Sequence, residues 1–197
     1  AVVVKQLVPI GIVDDVTHPS LPRAEEPKLS TEGLTSAVFW GMGSDGTVGA
    51  NKNSIKIIGH ATDLYCQAYF VYDSKKSGGL TQSHLRFGKN PIRSPYLVTA
   101  ADFVACHNPS YVHQYDMVAG LKEGGTFLLN CQWSADELDA QLPASMKRAL
   151  YAKKAKLYII NAIDIARGLG LGNRTNTILQ ASFFNLTGVI PIEQAVT

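Results

Sequence analysis

Cysteine is scarce in this chain. Cys66, Cys106 and Cys131 are odd in number and widely spaced, which argues against a disulfide framework and against a complete Cys-ligated zinc or iron–sulfur site. Free thiols in a reducing cytoplasm are expected instead. Charge of one sign is also lacking: 18 basic against 16 acidic residues leave a net +2, too weak a field for a nucleic-acid partner. No apolar run approaches the roughly 18 to 20 residues of a membrane-spanning helix, so a membrane partner is not expected either. The start, Ala1-Val-Val-Val-Lys5, has no initiator Met and no signal-peptide core, and reads as part of something longer.

What is present is enough apolar material, 46% of 197 residues, for one α/β domain with extensions. Residues 1–35 read as an N-terminal extended arm or linker, because the Pro- and Glu-rich stretch from Pro19 to Thr31 sustains no helical or strand period. Residues 36–197 read as the domain proper. Strands are predicted at Ala37–Trp40, Leu64–Tyr72, Thr81–Phe87, Phe103–Cys106, Thr126–Asn130 and Lys156–Asn161, alternating with helical patterns in the manner of βαβ units. Those helices are expected near Thr47–Ile58, Pro109–Val118, Ala135–Leu142, Ser145–Lys153, Ile163–Leu169 and Thr175–Thr187. The fold class is a three-layer α/β/α Rossmann-like sandwich with a mostly parallel sheet. Ligands gather at the carboxyl ends of such strands, so Gly43, Asp73–Gly79 and Cys106–Asn108 are expected on one rim.

The first of these places is the most informative. Gly41-x-Gly43-x-x-Gly46 satisfies the dinucleotide fingerprint, with a strand before it and a helix after it. Backbone amides of the glycine turn and of the helix start converge there, and the helix dipole favours an anion. Thr47 and Val48 stand where a nucleoside triphosphatase loop would carry Lys and Ser or Thr, so that loop is excluded. The same glycines would also serve a plain strand-to-helix turn.

A second patch, Tyr72-Asp-Ser-Lys-Lys-Ser-Gly-Gly79, places Lys75, Lys76 and Ser77 in a loop after the second strand. Paired lysines there favour a phosphorylated ribose over a free 2′-hydroxyl, although lysine pairs are also common on plain surfaces. The two loops together suggest a ligand with both a pyrophosphate and a ribose phosphate. His84 and Arg86 share one face of a strand and, with Arg93, would extend the anion site or buttress the sheet edge through an ion pair. Cys106-His107 resembles a thiol dyad only superficially, since strand neighbours point to opposite faces. Asn108, before Pro109, reads as a strand-end or cap residue whose amide reaches ligand. The apolar stripe Ile178, Leu179, Phe183, Phe184 and Leu186 reads as core. No Ser-His-Asp order, carboxylate pair or Cys cluster supplies catalysis, so a binding domain completed by residues elsewhere is expected.

Longer strings carry a resemblance. Gly-Ile-Val-Asp-Asp-Val-Thr (11–17), Gly-Ser-Asp-Gly-Thr-Val-Gly-Ala-Asn-Lys (43–52), Tyr-Phe-Val-Tyr-Asp-Ser-Lys-Lys-Ser-Gly-Gly (69–79), Ser-His-Leu-Arg-Phe-Gly (83–88), Ala-Asp-Phe-Val-Ala-Cys-His-Asn (101–108) and Gly-Gly-Thr-Phe-Leu-Leu-Asn (124–130) resemble the gamma domain of pyruvate:ferredoxin (flavodoxin) oxidoreductases over residues 8–196. The resemblance implies a cytoplasmic, homodimeric parent enzyme that converts pyruvate and coenzyme A to acetyl-CoA and carbon dioxide. Electrons would pass to ferredoxin or flavodoxin, with thiamine diphosphate and [4Fe–4S] clusters held by other domains, which are this one's partners. It implies coenzyme A binding here, by Gly43, Ser44, Asp45, Gly46 and Thr47 at one phosphate and Lys75, Lys76 and Ser77 at the other, with Lys52 and Asn108 adding contacts. Two alternatives stay open, a free-standing NADP-binding reductase and a packing module without ligand.

Overall fold

The computed structural model describes residues 16–18, 20, 32–73, 78–93 and 95–191. Its contacts divide the chain into Ala1–Thr31 and Glu32–Thr197, and the described helices and strands all lie in the second unit. Six strands, β1 (Leu34–Met42), β2 (Tyr65–Tyr72), β3 (Leu80–Gly88), β4 (Ala101–Cys106), β5 (Leu121–Asn130) and β6 (Lys156–Ile160), form one sheet. Five α-helices accompany them: α1 (Thr47–Ala61), α2 (Ala135–Gln141), α3 (Ala144–Ala152), α4 (Ala162–Gly168) and α5 (Asn176–Thr187). Every strand predicted from the sequence is found, several longer than expected.

The sheet order is β2-β3-β1-β4-β5-β6. β1, β4, β5 and β6 run parallel, whereas β3 is antiparallel to both β1 and β2. The mostly parallel α/β sandwich is therefore as expected, but the βαβ alternation breaks once. β2 and β3 form a hairpin, because the seven residues between Tyr72 and Leu80 are too few for a parallel crossover, which needs about a dozen.

Both faces of the sheet are covered at β1, β4 and β5, whose buried stretches read as apolar runs, while the edge strands leave Tyr65, Tyr69, Tyr158 and Ile159 exposed. Ala37, Phe39, Leu85, Phe103, Ala105 and Leu128 face Ile58 of α1 and Phe183 and Phe184 of α5. Val38, Val104, Cys106, Phe127 and Leu129 face Met146 and Leu150 of α3 and Tyr111 and Val112. Phe183 is the hub of the first layer, with ring centroids 5.0 Å from Phe39, 5.3 Å from Phe103 and 6.3 Å from Phe87.

The helix expected over 109–118 is a single 3₁₀ turn, Pro109–His113. Asn108 Oδ1 caps it by accepting from the Ser110 amide, and Pro109 takes the first position, as a residue without an amide hydrogen can. Beyond it Asp116 Oδ1 accepts from the Ala119 amide. That local bond competes with helical pairing and swings buried Met117 and Val118 into the core.

Candidate phosphate-binding site

β1 delivers the chain to the carboxyl rim at Met42, and α1 starts five residues later at Thr47. The reversal between them requires left-handed backbone at Ser44 (φ 78°) and Gly46 (φ 86°). The Asp45 carboxylate closes the turn from inside: Oδ2 accepts from the Met42 amide and Oδ1 from the Thr47 amide, both at 2.8 Å. The Gly43 amide donates to Gly79 O at 2.7 Å and the Gly78 amide to Gly43 O at 3.3 Å, tying the turn to the β2–β3 hairpin. Gly41 lets the helix start press on the strand, since a Cβ there would lie 2.6 Å from Thr47 Oγ1.

Two first-turn amides remain. Ala50 N already donates to Gly46 O and Thr47 N to Asp45, while Val48 and Gly49 have no intrahelical acceptor. Both residues line a cleft of about 500 Å³ walled by Ser44, Gly46, Tyr72, Asp73 and Thr81. No acidic residue occupies the first turn of α1 itself, and the one carboxylate at its start, Asp45, is engaged by the Met42 and Thr47 amides. A second cleft, of about 930 Å³, lies on the other side of the turn, where Ser44, Asp45 and Gly46 face Gly170, Gly172 and Arg174 of the α4–α5 loop and Asn176 at the start of α5. The Asn176 amide group approaches so closely that a Cβ on Gly46 would sit 3.0 Å from its Cγ.

The expected site residues divide accordingly. Gly43, Ser44, Asp45 and Gly46 form the turn and line a cleft, with the Asp45 oxygens engaged by backbone amides. Thr47 differs from expectation: it is 1% exposed, its hydroxyl lies 2.7 Å from His107 Nδ1 and its amide is taken by Asp45, so it supports the turn from beneath. Lys52 points away, its Nζ 5.4 Å from the Phe70 ring centroid. Asn108 caps the 3₁₀ turn and brings Nδ2 to 4.0 Å from Met42 Sδ, next to the cleft. Lys75, Lys76 and Ser77 lie outside the described residues.

His84 and Arg86 do share a face of β3, but that face is covered. Arg86 is 3% exposed, stacks its guanidinium 4.6 Å from the Tyr96 ring centroid and donates to Gln67 Oε1 at 3.0 Å. His84 Nδ1 accepts from the Val98 amide at 3.2 Å. Burial, and after it the Arg86 charge, pull the His84 pKa down to about 4. These side chains brace the hairpin rather than the turn. Burial pushes the Cys106 thiol up to about 12, far from the range of a thiolate nucleophile.

Residues 36–197 match the family model described as pyruvate ferredoxin/flavodoxin oxidoreductase. The chain belongs to that family. It is 59% identical over 187 residues to the pyruvate:ferredoxin oxidoreductase of Moorella thermoacetica and 59% identical over 188 residues to the pyruvate-flavodoxin oxidoreductase of Enterobacter agglomerans. In each case the match covers 95% of this chain and 16% of the relative, so the chain spans about one sixth of the length of these oxidoreductases. Among solved structures, the PORC subunit of a pyruvate oxidoreductase from Thermotoga maritima shares the fold at a TM-score of 0.66 and 19% identity, covering 83% of this chain and 82% of that one. A 2-oxoglutarate:ferredoxin oxidoreductase from Magnetococcus marinus, solved with 2-oxoglutarate, coenzyme A and succinyl-CoA bound, matches at a TM-score of 0.56 and 14% identity over 77% of this chain and 24% of that one.

For this member of the pyruvate ferredoxin/flavodoxin oxidoreductase family, sequence reasoning missed Arg174 and Asn176. They follow Leu169-Gly-Leu-Gly172, a string that signals a turn but not where the turn goes. Among the described residues no three His, Cys, Asp or Glu side chains converge to hold a metal ion, and no helix is long and apolar enough to cross a membrane.

Proposed function

We propose that this chain is the coenzyme A-binding unit of a cytoplasmic pyruvate:ferredoxin or flavodoxin oxidoreductase. The parent would oxidise pyruvate with coenzyme A to acetyl-CoA and carbon dioxide, with thiamine diphosphate and [4Fe–4S] clusters on its other domains and ferredoxin or flavodoxin as electron acceptor. The observation that carries the reading is the turn itself: Val48 and Gly49, whose amides at the helix start have no intrahelical acceptor, line one cleft, and Arg174 lines a second cleft at the same turn. A pyrophosphate suits the amides. A ribose phosphate needs a separate cation, for which the candidates are Arg174 in the second cleft and, from the sequence, Lys75 and Lys76. Coenzyme A, a 3′-phospho-ADP carrying a thiol arm, has both groups, and the Magnetococcus oxidoreductase of similar fold was solved with coenzyme A bound.

The relatives named above differ in acceptor, ferredoxin in one and flavodoxin in the other, at equal identity to this chain. A unit common to both suits the step they share. Holding the thiol beside an intermediate on a partner domain would replace a bimolecular encounter with an oriented one. The NADP-reductase reading is disfavoured by topology, because β3 is inserted between β1 and β2, whereas a dinucleotide fold pairs those strands directly.

In the full-length enzyme, Arg174→Ala is expected to raise the KM for coenzyme A about tenfold, in line with a lost charge-assisted bond, with coenzyme A-independent decarboxylation of pyruvate unchanged. Equal loss of both activities, or competition by NADPH, would overturn the proposal. Insensitivity of coenzyme A use to substitution at Arg174 and at Lys75 and Lys76 would favour a packing module instead.

A further inference from the structure

We propose that His107, acting through Thr47, is a positioning residue of the glycine turn, holding the start of α1 so that the Val48 and Gly49 amides face a ligand phosphate. The inference rests on the phosphate-binding reading above. Thr47 Oγ1 is wedged between the Gly41 backbone and His107 Nδ1, the latter at 2.7 Å. His107 is itself held from every side. Its amide donates to Trp40 O at 2.9 Å, its carbonyl accepts from Asn130 Nδ2 at 3.0 Å, and its ring meets Phe39 edge-on at 6.1 Å between centroids. Asn130 Oδ1 in turn accepts from the Ala162 amide at 3.1 Å. The chain of bonds thus runs from the turn through the ends of β4 and β5 to the start of α4, the helix that leads to Arg174.

A purely structural part is poorly served by this imidazole. Its Nε2 is shut off from solvent with no partner among the described residues, and a buried polar atom left alone costs stability that an apolar side chain would not. The hydrogen bond the ring does make is the one to Thr47. Burial draws the His107 pKa down to about 4 against the opposing pull of Asp45, so the ring is neutral at physiological pH and braces the turn without adding charge.

The test uses the full-length oxidoreductase, reading the KM for coenzyme A against the rate of coenzyme A-independent pyruvate decarboxylation. His107→Asn keeps a polar atom at the Nδ1 position, whereas His107→Gln places one at Nε2 and His107→Leu none. Thr47→Ser keeps the hydroxyl and Thr47→Val removes it at nearly equal volume. The strut requires that His107→Asn and Thr47→Ser stay within about twofold of the parent KM. His107→Gln, His107→Leu and Thr47→Val should each raise it about fivefold to twentyfold with decarboxylation retained. The double variant Thr47→Val with His107→Leu should be no worse than the worse of its two single variants, as two ends of one contact are not additive.

Equal KM for Thr47→Ser and Thr47→Val, or additive effects in the double variant, would overturn the inference. If His107→Leu does not fold, the Thr47 pair decides by its own comparison and His107→Gln takes the place of His107→Leu in the double variant. Arg174→Ala serves as the control for the underlying reading. A raised KM there with no effect of Thr47→Val sinks the strut alone, and an unchanged KM in every variant sinks the phosphate site as well.

Discussion

At Gly46 two constraints coincide: a left-handed backbone at φ 86° and an Asn176 side chain that leaves 3.0 Å for any Cβ. Gly46→Ala must therefore either strain the turn, at about 1–2 kcal/mol for the backbone alone, or push Asn176 out of the second cleft. We expect a lower melting temperature together with a raised KM for coenzyme A in the full-length enzyme. His84 provides a pH signature. Its pKa falls from an ordinary 6.5 to about 4, so above pH 6.5 neither folded nor unfolded chain is penalised, and between 6.5 and 4 only the unfolded chain takes up the proton. Stability should fall over that window, by about 3 kcal/mol for a shift of this size at full burial. Denaturant unfolding at pH 7 and pH 4.5 checks this: the fall should be markedly smaller in His84→Gln, and an equal fall in both proteins would contradict it.

Strand and helix positions were legible because apolar runs of both kinds fill a sheet covered on two faces, and the Phe183 layer shows how much rests on that filling. Phe183→Ala removes a ring packed against Phe39, Phe103 and Phe87, and about 3–5 kcal/mol of stability is expected to go with it. Thermal denaturation reads that as a large drop in Tm, whereas a drop of only a degree or two would mean that the layer relaxes around the gap. What the apolar pattern did not carry was direction and pairing. Nothing in the residues of β2 and β3 distinguishes a hairpin from a crossover except the shortness of the link from Tyr72 to Leu80. The turn at Pro109–His113 resembles the start of a longer helix because Tyr111, Tyr115 and Val118 stand at i, i+4 and i+7, and the Asp116 bond beyond it is a local side-chain contact.

At the scale of the molecule, the glycine turn was legible as a motif, as was its place on the rim beside Gly79 and Cys106–Asn108. The wall across from it was not, because the α4–α5 loop reaches the turn only through the packing of α4 and α5 beyond the sixth strand. Arg174 and Asn176 come to Gly46 across more than a hundred residues of sequence, and no local pattern signals such an approach. The resemblance implies a phosphate contact for Thr47, whereas burial places its hydroxyl on His107. The chain also spans one sixth of its relatives' length, and in the function we propose it is a docked unit presenting coenzyme A to chemistry held elsewhere. In that proposal separate groups here meet the pyrophosphate and the ribose phosphate of coenzyme A. The most direct measurement compares KM for coenzyme A and 3′-dephospho-coenzyme A in the full-length enzyme, before and after replacing Arg174, Lys75 and Lys76 with Ala. We expect the parent to discriminate by about tenfold or more and the triple variant to lose that discrimination, whereas an unchanged ratio would contradict the account.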